Sequence, residues 1–454
     1  MIAAVLRMFA ARGELWLDEI WSLKLSHLVD SPLGLFTELH LDNNHYLTSL
    51  YLRCLPESLP SFVYRIPAVC AGITTVCLAV VIAWRRGPVA AIAAATLTGT
   101  SYLLTLYGSE ARGYGMAMAF TLGTVLLVER YRSTSRTRWG VAAGICAALG
   151  FLAHLTFLHA YLGLAAWTAV TSRGGGLWTW VRRMATLHTP PLVTMAVVYW
   201  LDLQYIRQGG GPPTTAESVV TNLLTLLAGV TPGSSSQWIA VAFGMGALLA
   251  IDSVRRAGSD LWILFAVGGI VAPALTLAFV DTSILFERYF VVSACLVLIA
   301  FSWLVARLNE KSVWLAASIV ALLAVPNLIR DADLLAHGRG RYEEVLGFLG
   351  SNSRRTDATV GTDHDFRQGR VVEFYLPRMH TASTLKFELR PEWRDPGPEW
   401  LLVHNQATDW QPRADVIVQG RWRYVLAGVY PLQGPSGWTV AAYHNAQDVK
   451  PAGH

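Results

Sequence analysis

Ten apolar runs of about 15 to 20 residues constrain the fold of this chain more than any other feature of its sequence. A helix needs roughly 20 apolar residues, and at least about 17, to cross the hydrocarbon core of a bilayer. Only 15% of the residues are charged, whereas soluble domains carry about 25%. The runs predict a polytopic α-helical membrane protein with about ten spans, at 65–84, 88–107, 114–129, 139–154, 157–172, 185–201, 238–252, 261–280, 289–306 and 313–329.

Basic residues are distributed unevenly between the loops that join these runs. The loops after every second run, starting with the first, hold Arg85, Arg86, Arg130, Arg132, Arg136, Arg138, Arg173, Arg182, Arg183, Arg255, Arg256, Arg307 and Lys311. The opposite loops hold only Arg112, Arg207 and Arg288. Because short cytoplasmic loops are enriched in Lys and Arg, this Arg-rich face is predicted to be cytoplasmic. The protein is then a multi-pass protein of the cell (inner) membrane, with residues 14–64 forming an extracytoplasmic loop.

The tail after the last run differs in composition from the rest of the chain. Residues 331–454 are polar, and they are predicted to form a second domain that follows a membrane domain at 1–330. RYEEVLGFLG (341–350) has helical spacing of its apolar residues. Four short segments read as strands: ATVGT from 358, EWLLVH from 399, ADVIVQ from 414 and GWTVAAYH from 437. We expect a small extracytoplasmic α/β domain.

Several other features narrow the function classes. The net charge of +5 comes from loops between apolar runs, which indicates membrane topology and no nucleic-acid partner. The five cysteines show no metal-ligand spacing and no disulfide framework, and RGGG (173–176) lacks the lysine of a phosphate loop. His154 and His159 are five residues apart, so they are not predicted to be a metal pair. QGGGPP (208–213) is predicted to be a flexible outer loop over the site.

Unusual polar groups lie close to the predicted outer ends of the spans. They occur in LWLDEIWS, LDNNHYL, SEARGY and FERYF, and the candidate residues are Asp18, Glu19, Asp42, His45, Glu110, Arg112, Tyr114, Arg288 and Tyr289. Charges near a bilayer are costly, so they indicate a functional site. Arg112 and Arg288 fit an anionic headgroup, and Asp18 fits a general base or a metal ligand. Two structural alternatives stay open: acids that face water on an interfacial helix, and arginines that snorkel.

The order of these segments resembles a known family. LWLDEIWSL (15–23), DNNHYLTSLYLRCL (42–55) and YGSEARGYGMAMAFTLGTVLLVERY (107–131) are similar to segments of the bacterial relatives of protein O-mannosyltransferases and lipid A aminoarabinose transferases. FERYF (286–290) resembles the Arg-Tyr pair that opens a late span in that family. These relatives are GT-C glycosyltransferases that use polyprenyl-phosphate sugars. The resemblance covers 14–130 closely and 281–330 loosely.

The resemblance implies a role for each candidate residue. Asp18 would act as the base on an acceptor hydroxyl, and Glu19 would orient the acceptor or the base. Arg112 and Arg288 would neutralise the leaving phosphate. The other substrate-binding positions would be Asp42, His45, Glu110, Tyr114 and Tyr289. The donor would be a polyprenyl-phosphate sugar, and the acceptor a lipid, glycan or protein. No cofactor is required, although Asp18 and Glu19 would suit a divalent metal.

The sequence departs from the family pattern in two places. Relatives open with a transmembrane helix before the acidic pair, so the first family helix is expected to be missing here. Their His-Pro-Pro segment is His45-Tyr46-Leu47 in this chain, which makes the assignment of His45 less direct.

Two other functions compete with a hexosyl- or pentosyltransferase of the mannosyltransferase type. A transporter or flippase of lipid-linked sugars would show internal repeats and broken helices near mid-membrane, whereas the polar groups here cluster at one face. A non-catalytic scaffold would leave Asp18, Arg112 and Arg288 without a common purpose. The sequence therefore favours a transferase that inverts the sugar by direct displacement.

Overall fold

The computed structural model describes all residues except 175, 207–213, 234, 282–283, 380–381, 406–409, 433–434 and 447–454. The loop predicted at 208–213 lies outside the described residues. The chain divides into two compact units. We call the first the helical unit (Met1–Ala11 and Leu25–Leu335) and the second the sheet unit (Arg12–Lys24 and Ala336–His454). The segment that carries Asp18 and Glu19 therefore belongs to the sheet unit.

Helices form over all ten apolar runs, because backbone groups in an apolar solvent must bond within their own segment. The first helices are α1 (Ile2–Ala10), α2 (Leu17–Leu28), α3 (Gly34–Thr37), α4 (Tyr46–Arg53), α5 (Ser61–Ala83), α6 (Pro88–Gly99), α7 (Tyr102–Tyr107), α8 (Tyr114–Thr134) and α9 (Thr137–Ala153). They are followed by α10 (Phe157–Thr171), α11 (Leu177–Leu201), α12 (Ala216–Leu227), α13 (Ser236–Arg256), α14 (Leu261–Ala266), α15 (Ala272–Phe279), α16 (Val291–Asn309) and α17 (Val313–His337).

The prediction of a multi-pass membrane protein is confirmed. In the described part of the chain, five helical segments are long and apolar enough to cross a bilayer, and they begin at Ser61, Ser236, Leu261, Glu287 and Val313. The run at 88–107 is divided between α6 and α7, and a π-helical turn at Val267–Val271 joins α14 to α15. Helix α16 forms the centre of the helical unit, since almost every residue from Val291 to Ala306 is buried.

Small residues let the helices approach one another closely, as is common in membrane proteins. A Cβ atom at Gly144 of α9 would lie 2.8 Å from the Pro190 side chain of α11. A Cβ atom at Gly163 of α10 would lie 2.8 Å from the carbonyl oxygen of Leu264 in α14. Larger residues at these two positions would separate the helix pairs.

The sheet unit contains the predicted α/β fold. Its strands are β1 (Asp357–Thr362), β2 (Thr384–Phe387), β3 (Trp400–Asn405), β4 (Asp415–Val418), β5 (Trp422–Tyr430) and β6 (Thr439–Asn445), in the order β2-β1-β3-β6-β5-β4. Strand β1 is parallel to β2 and β3, and the remaining pairs are antiparallel. The helices of this unit include α18 (Tyr342–Asn352), which matches the predicted helix, and α19 (Arg370–Tyr375). Strands β2 and β5 were not predicted.

Candidate active site

Arg112 lies in the short turn between α7 and α8 and is buried. Its Nε donates to His45 Nε2 at 3.2 Å, and its Nη2 donates to Asn43 Oδ1 at 3.0 Å. A guanidinium can only donate, so His45 accepts at Nε2 and carries its proton on Nδ1. The structure thus brings together Arg112 and His45, two predicted site residues from segments far apart in the sequence.

The segment before α4 supplies a residue that the sequence analysis missed. Asn43 binds Arg112 and is buried, whereas the predicted Asp42 is exposed. Asn44 anchors the same segment, because its side-chain amide donates to the carbonyl oxygens of Leu35 at 2.6 Å and Leu39 at 3.3 Å. The only sequence signal for Asn43 was its place in a polar run next to an apolar helix.

Asp202, at the end of α11, holds Tyr46, the residue that follows His45, by a hydrogen bond. Tyr46 donates its hydroxyl to Asp202 Oδ2 at 2.5 Å, and His40 Nδ1 lies 2.7 Å from Oδ1. Asp202 is only 1% exposed, so these bonds are shielded from water. They restrict how far the segment around His45 can shift.

A stack of the His45, His154 and Tyr114 rings lies beside the Arg112 guanidinium. The His154 ring lies 4.5 Å from the His45 ring and 4.0 Å from the Tyr114 ring, measured between centroids. The carbon of the Arg112 guanidinium lies 5.1 Å from the Tyr114 centroid, within cation–π range. Tyr114 was predicted as a site residue, whereas His154 was considered only as a metal ligand and set aside.

Arg288 acts electrostatically on the cluster formed by Arg112, His45, Tyr114 and His154. Burial lowers the pKa of His45 well below its ordinary value, and the nearby His154, Arg112 and Arg288 lower it further. His45 is therefore neutral at physiological pH. The Arg288 guanidinium lies 4.2 Å from the centroid of the Phe286 ring and 5.6 Å from that of Tyr289.

Glu110 is the acidic member of the turn that carries Arg112. It is fully buried, and its carbonyl oxygen accepts from the Arg112 backbone N–H at 2.7 Å. Glu287, beside Arg288, accepts from Asn222 Nδ2 at 2.9 Å. Each of the two arginines therefore has a carboxylate close to it in sequence, which reduces the net charge around the cluster.

The acidic pair lies at the start of α2. Glu19 is fully buried, and its Oε2 accepts from the backbone N–H of Trp16 at 3.3 Å, as the acidic residue of a capping box does. Asp18 is partly exposed. Among the described residues, no group of three His, Cys, Asp or Glu residues could hold a metal ion. A metal at this pair would have two protein ligands and would compete with the cap.

Comparisons with known proteins place the fold. No protein-family model matches the sequence, and a search of curated proteins finds no match. The structure is similar to that of ArnT from Cupriavidus metallidurans in the apo state, with a TM-score of 0.54, 12% identity, and coverage of 97% of this chain and 96% of that one. The same protein bound to undecaprenyl phosphate matches with a TM-score of 0.50, 12% identity and the same coverage.

A weaker likeness is to the oligosaccharyltransferase of Archaeoglobus fulgidus in complex with Zn and sulfate. It has a TM-score of 0.45 and 12% identity, and it covers 89% of this chain and 68% of that one, which is too distant to support an argument. At 12% identity the ArnT likeness shows the fold alone. The chain has the GT-C fold that the sequence resemblance implied.

Proposed function

We propose that this protein is a membrane glycosyltransferase that moves a sugar from a polyprenyl phosphate to an acceptor hydroxyl on the extracytoplasmic face. The observation that carries the proposal is the buried Arg112, held by His45 and Asn43 in a GT-C fold. A buried and oriented guanidinium is suited to a phosphate. The undecaprenyl phosphate bound to the ArnT structure supports this donor class.

The leaving group sets the main catalytic task. When the bond between the sugar C1 and the phosphate oxygen breaks, negative charge builds up on the phosphate. Arg112 would stabilise this charge, and it needs little reorganisation because two side chains already hold it. Arg288 would supply a second cation. Neutral His45 would orient Arg112 without adding charge of its own.

The acceptor needs a base. Asp18 would take the proton of the acceptor hydroxyl as its oxygen bonds to C1, so the sugar is inverted in one displacement. A single carboxylate is enough, because no covalent intermediate has to form. Glu19, which caps α2, would position Asp18. Asp42, Glu110, Tyr114 and Tyr289 would complete the substrate-binding residues.

No metal is required by this mechanism. The donor carries one phosphate, and the arginines can neutralise its charge without a cation bridge. Should a divalent ion bind at Asp18 and Glu19, it would act as a Lewis acid at the acceptor.

Mass spectrometry of lipid-linked sugars and envelope glycans tests the proposal. A strain without the gene should accumulate one polyprenyl-phosphate sugar and lose one glycan decoration. The wild-type gene should restore both, whereas Asp18→Asn and Arg112→Ala should not. Exposed Asp30 and Arg136 provide matched controls, so Asp30→Asn and Arg136→Ala should complement fully. Unchanged lipids and glycans in the deletion strain would refute the function, and full complementation by both site variants would refute the residues.

A further inference from the structure

His154 interrupts the helical run between α9 and α10 and is buried, with 6% of its surface exposed. Its ring is stacked with those of His45 and Tyr114. The mechanism above gives His154 no task. A histidine at a helix break, beside the guanidinium cluster, is nevertheless well placed to contact a ligand of Arg112.

Hydrogen bonds fix the tautomer of His154. The backbone N–H of Thr156 points at its Nδ1 at a distance of 3.1 Å. A backbone N–H can only donate, so Nδ1 is an acceptor and the neutral ring carries its proton on Nε2. The Thr156 hydroxyl, 3.0 Å from the same Nδ1, is a second local partner. His154 therefore presents an N–H donor at its other nitrogen.

This N–H donor has no hydrogen-bond partner among the described residues. His154 Nε2 is buried and unpaired there, and so is the hydroxyl of Tyr114, whose ring is stacked on His154. Buried donors are almost always satisfied in native proteins. Two neighbouring unpaired donors, His154 Nε2–H and the Tyr114 hydroxyl, beside an oriented guanidinium indicate a ligand rich in acceptor atoms.

Gly113 holds the Arg112 turn against the backbone of His154. A Cβ atom at Gly113 would lie 1.7 Å from the carbonyl oxygen of Ala153 and 3.3 Å from Cβ of His154. Only glycine allows this approach. The turn that carries Arg112 and Tyr114 is therefore in direct backbone contact with the segment that carries His154.

We propose that His154 Nε2–H and the Tyr114 hydroxyl donate hydrogen bonds to the phosphate that Arg112 binds. The Nε2–H can only donate and the phosphate oxygens of a polyprenyl phosphate diester can only accept, so their requirements match. A sugar hydroxyl would also need an acceptor, which Nε2–H does not provide. The two residues form, with Arg112, one phosphate-binding set of one cation and two neutral donors. This inference rests on the proposed function and names two further residues of its donor site.

Binding of undecaprenyl phosphate to the purified full-length protein in detergent tests the inference. Tyr114→Phe removes a single oxygen and is the cleaner deletion of one donor. His154→Phe keeps a stacking ring and deletes the Nε2–H donor, but it also removes the Nδ1 acceptor of Thr156. Each variant should weaken undecaprenyl phosphate binding about 10-fold. His154→Gln, which retains an N–H donor, should recover most of the affinity. His188→Phe is the matched control, because both ring nitrogens of His188 are paired, Nε2 with Thr168 Oγ1 at 2.9 Å and Nδ1 with the Tyr161 hydroxyl at 3.2 Å, and it should bind as the wild type does.

Two further probes separate a phosphate contact from a structural role. Undecaprenol has the same chain without the phosphate, and its binding should be the same in the wild type and both Phe variants. Inorganic phosphate should compete in the wild type and less in the variants. Wild-type affinity for undecaprenyl phosphate in both Phe variants would overturn the inference, and so would an equal loss of undecaprenol binding.

The outcome is independent of the test of the proposed function. If the wild type transfers sugar but both Phe variants bind undecaprenyl phosphate normally, the inference fails and the function stands. If the variants lose binding but the wild type transfers no sugar, the phosphate site stands and the transferase function fails.

Discussion

Glu14 is a partly buried residue of the sheet unit whose carboxylate caps the start of α18. Its Oε2 accepts from the backbone N–H of Tyr342 at 2.6 Å, and its Oε1 accepts from Glu343 at 3.2 Å. Burial raises the pKa of Glu14 from 4.5 to about 7, although these two bonds oppose the rise. Between these values the folded state binds a proton that the unfolded state has released, so stability falls as pH rises through this window and levels off above it.

Glu14→Gln should remove this pH dependence, because an amide does not titrate, although its single oxygen can replace only one of the two acceptors. Hydrogen exchange of the α18 amides at pH 5 and pH 8, corrected for intrinsic rates, measures the effect. The wild type should lose protection in α18 at the higher pH, and the variant should not. Parallel profiles for the two proteins would contradict the assignment to Glu14.

Arg112 is the residue on which the proposed mechanism depends most. Arg112→Ala should lower kcat about 10²- to 10³-fold, the usual loss for a donor to developing charge. The kcat of Arg112→Lys should lie between that of Arg112→Ala and that of the wild type. Lysine keeps the charge but cannot reproduce the two oriented bonds to His45 and Asn43. Steady-state rates with a polyprenyl-phosphate sugar check both values. A lysine variant with wild-type kcat would show that the orientation of the cation is unimportant.

The sequence pointed to some of these residues and not to others. Arg112 and His45 stood out because polar groups are costly in an apolar context. Asn43 and His154 did not, since their contacts depend on how distant segments meet. The sequence predicted Glu19 as a catalytic residue, whereas its observed hydrogen bond is that of a helix cap. Local polarity predicts which segments contribute to the site, whereas the hydrogen-bond partner of each side chain is known only from the tertiary structure.

Helix α1 illustrates how one buried charge fixes an element. Arg7 is fully buried and donates to the carbonyl oxygens of Thr98 at 3.1 Å and Gly99 at 3.2 Å. These carbonyls belong to the last turn of α6, where no partner exists within the helix. Its charge also offsets the buried carboxylate of Asp331. Gly72 of α5 leaves room for the side chain, since a Cβ there would lie 2.9 Å from Arg7 Cδ.

Arg7→Met should destabilise the helical unit, because methionine fills similar space but leaves the carbonyls of Thr98 and Gly99 unpaired. The cost should be about 1–3 kcal/mol for each carbonyl left unpaired. Unfolding of the purified protein in detergent measures it. Arg12→Met is a control of the same type outside α1. Equal stability of Arg7→Met and the wild type would show that α1 is held by its apolar face alone.

Elements were predicted where one physical signal dominates. Apolar length alone predicted the ten helical runs, and clear apolar segments predicted β1, β3, β4 and β6. Strand β2 reads TLKF, in which a lysine interrupts the apolar residues, whereas the equally short β4 reads DVIV, so only β4 left such a signal. Strand β5 alternates buried Trp422 and Tyr424 with exposed Arg423, an alternation typical of a half-buried strand.

The orientation of the whole molecule in the bilayer is a prediction from the Arg-rich face. In a background with Cys54, Cys70 and Cys77 replaced by serine, which removes the exposed native thiols among the described residues, cysteines introduced one at a time at Ser135 and Ser235 report the two sides. A membrane-impermeant maleimide added to intact cells should label Ser235→Cys and not Ser135→Cys, and lysed cells should label both. Labelling of Ser135→Cys in intact cells would reverse the topology and contradict an extracytoplasmic mechanism.

The central claim is that the chain transfers a sugar from a polyprenyl phosphate. The most direct measurement uses purified protein in liposomes made with a total envelope lipid extract, and it follows lipid products by mass spectrometry. The wild type should consume a polyprenyl-phosphate sugar and release polyprenyl phosphate, and Asp18→Asn should be slower by about 10²- to 10⁴-fold, as expected for loss of a general base. No release of polyprenyl phosphate by the wild type, or equal release by Asp18→Asn, would contradict the account.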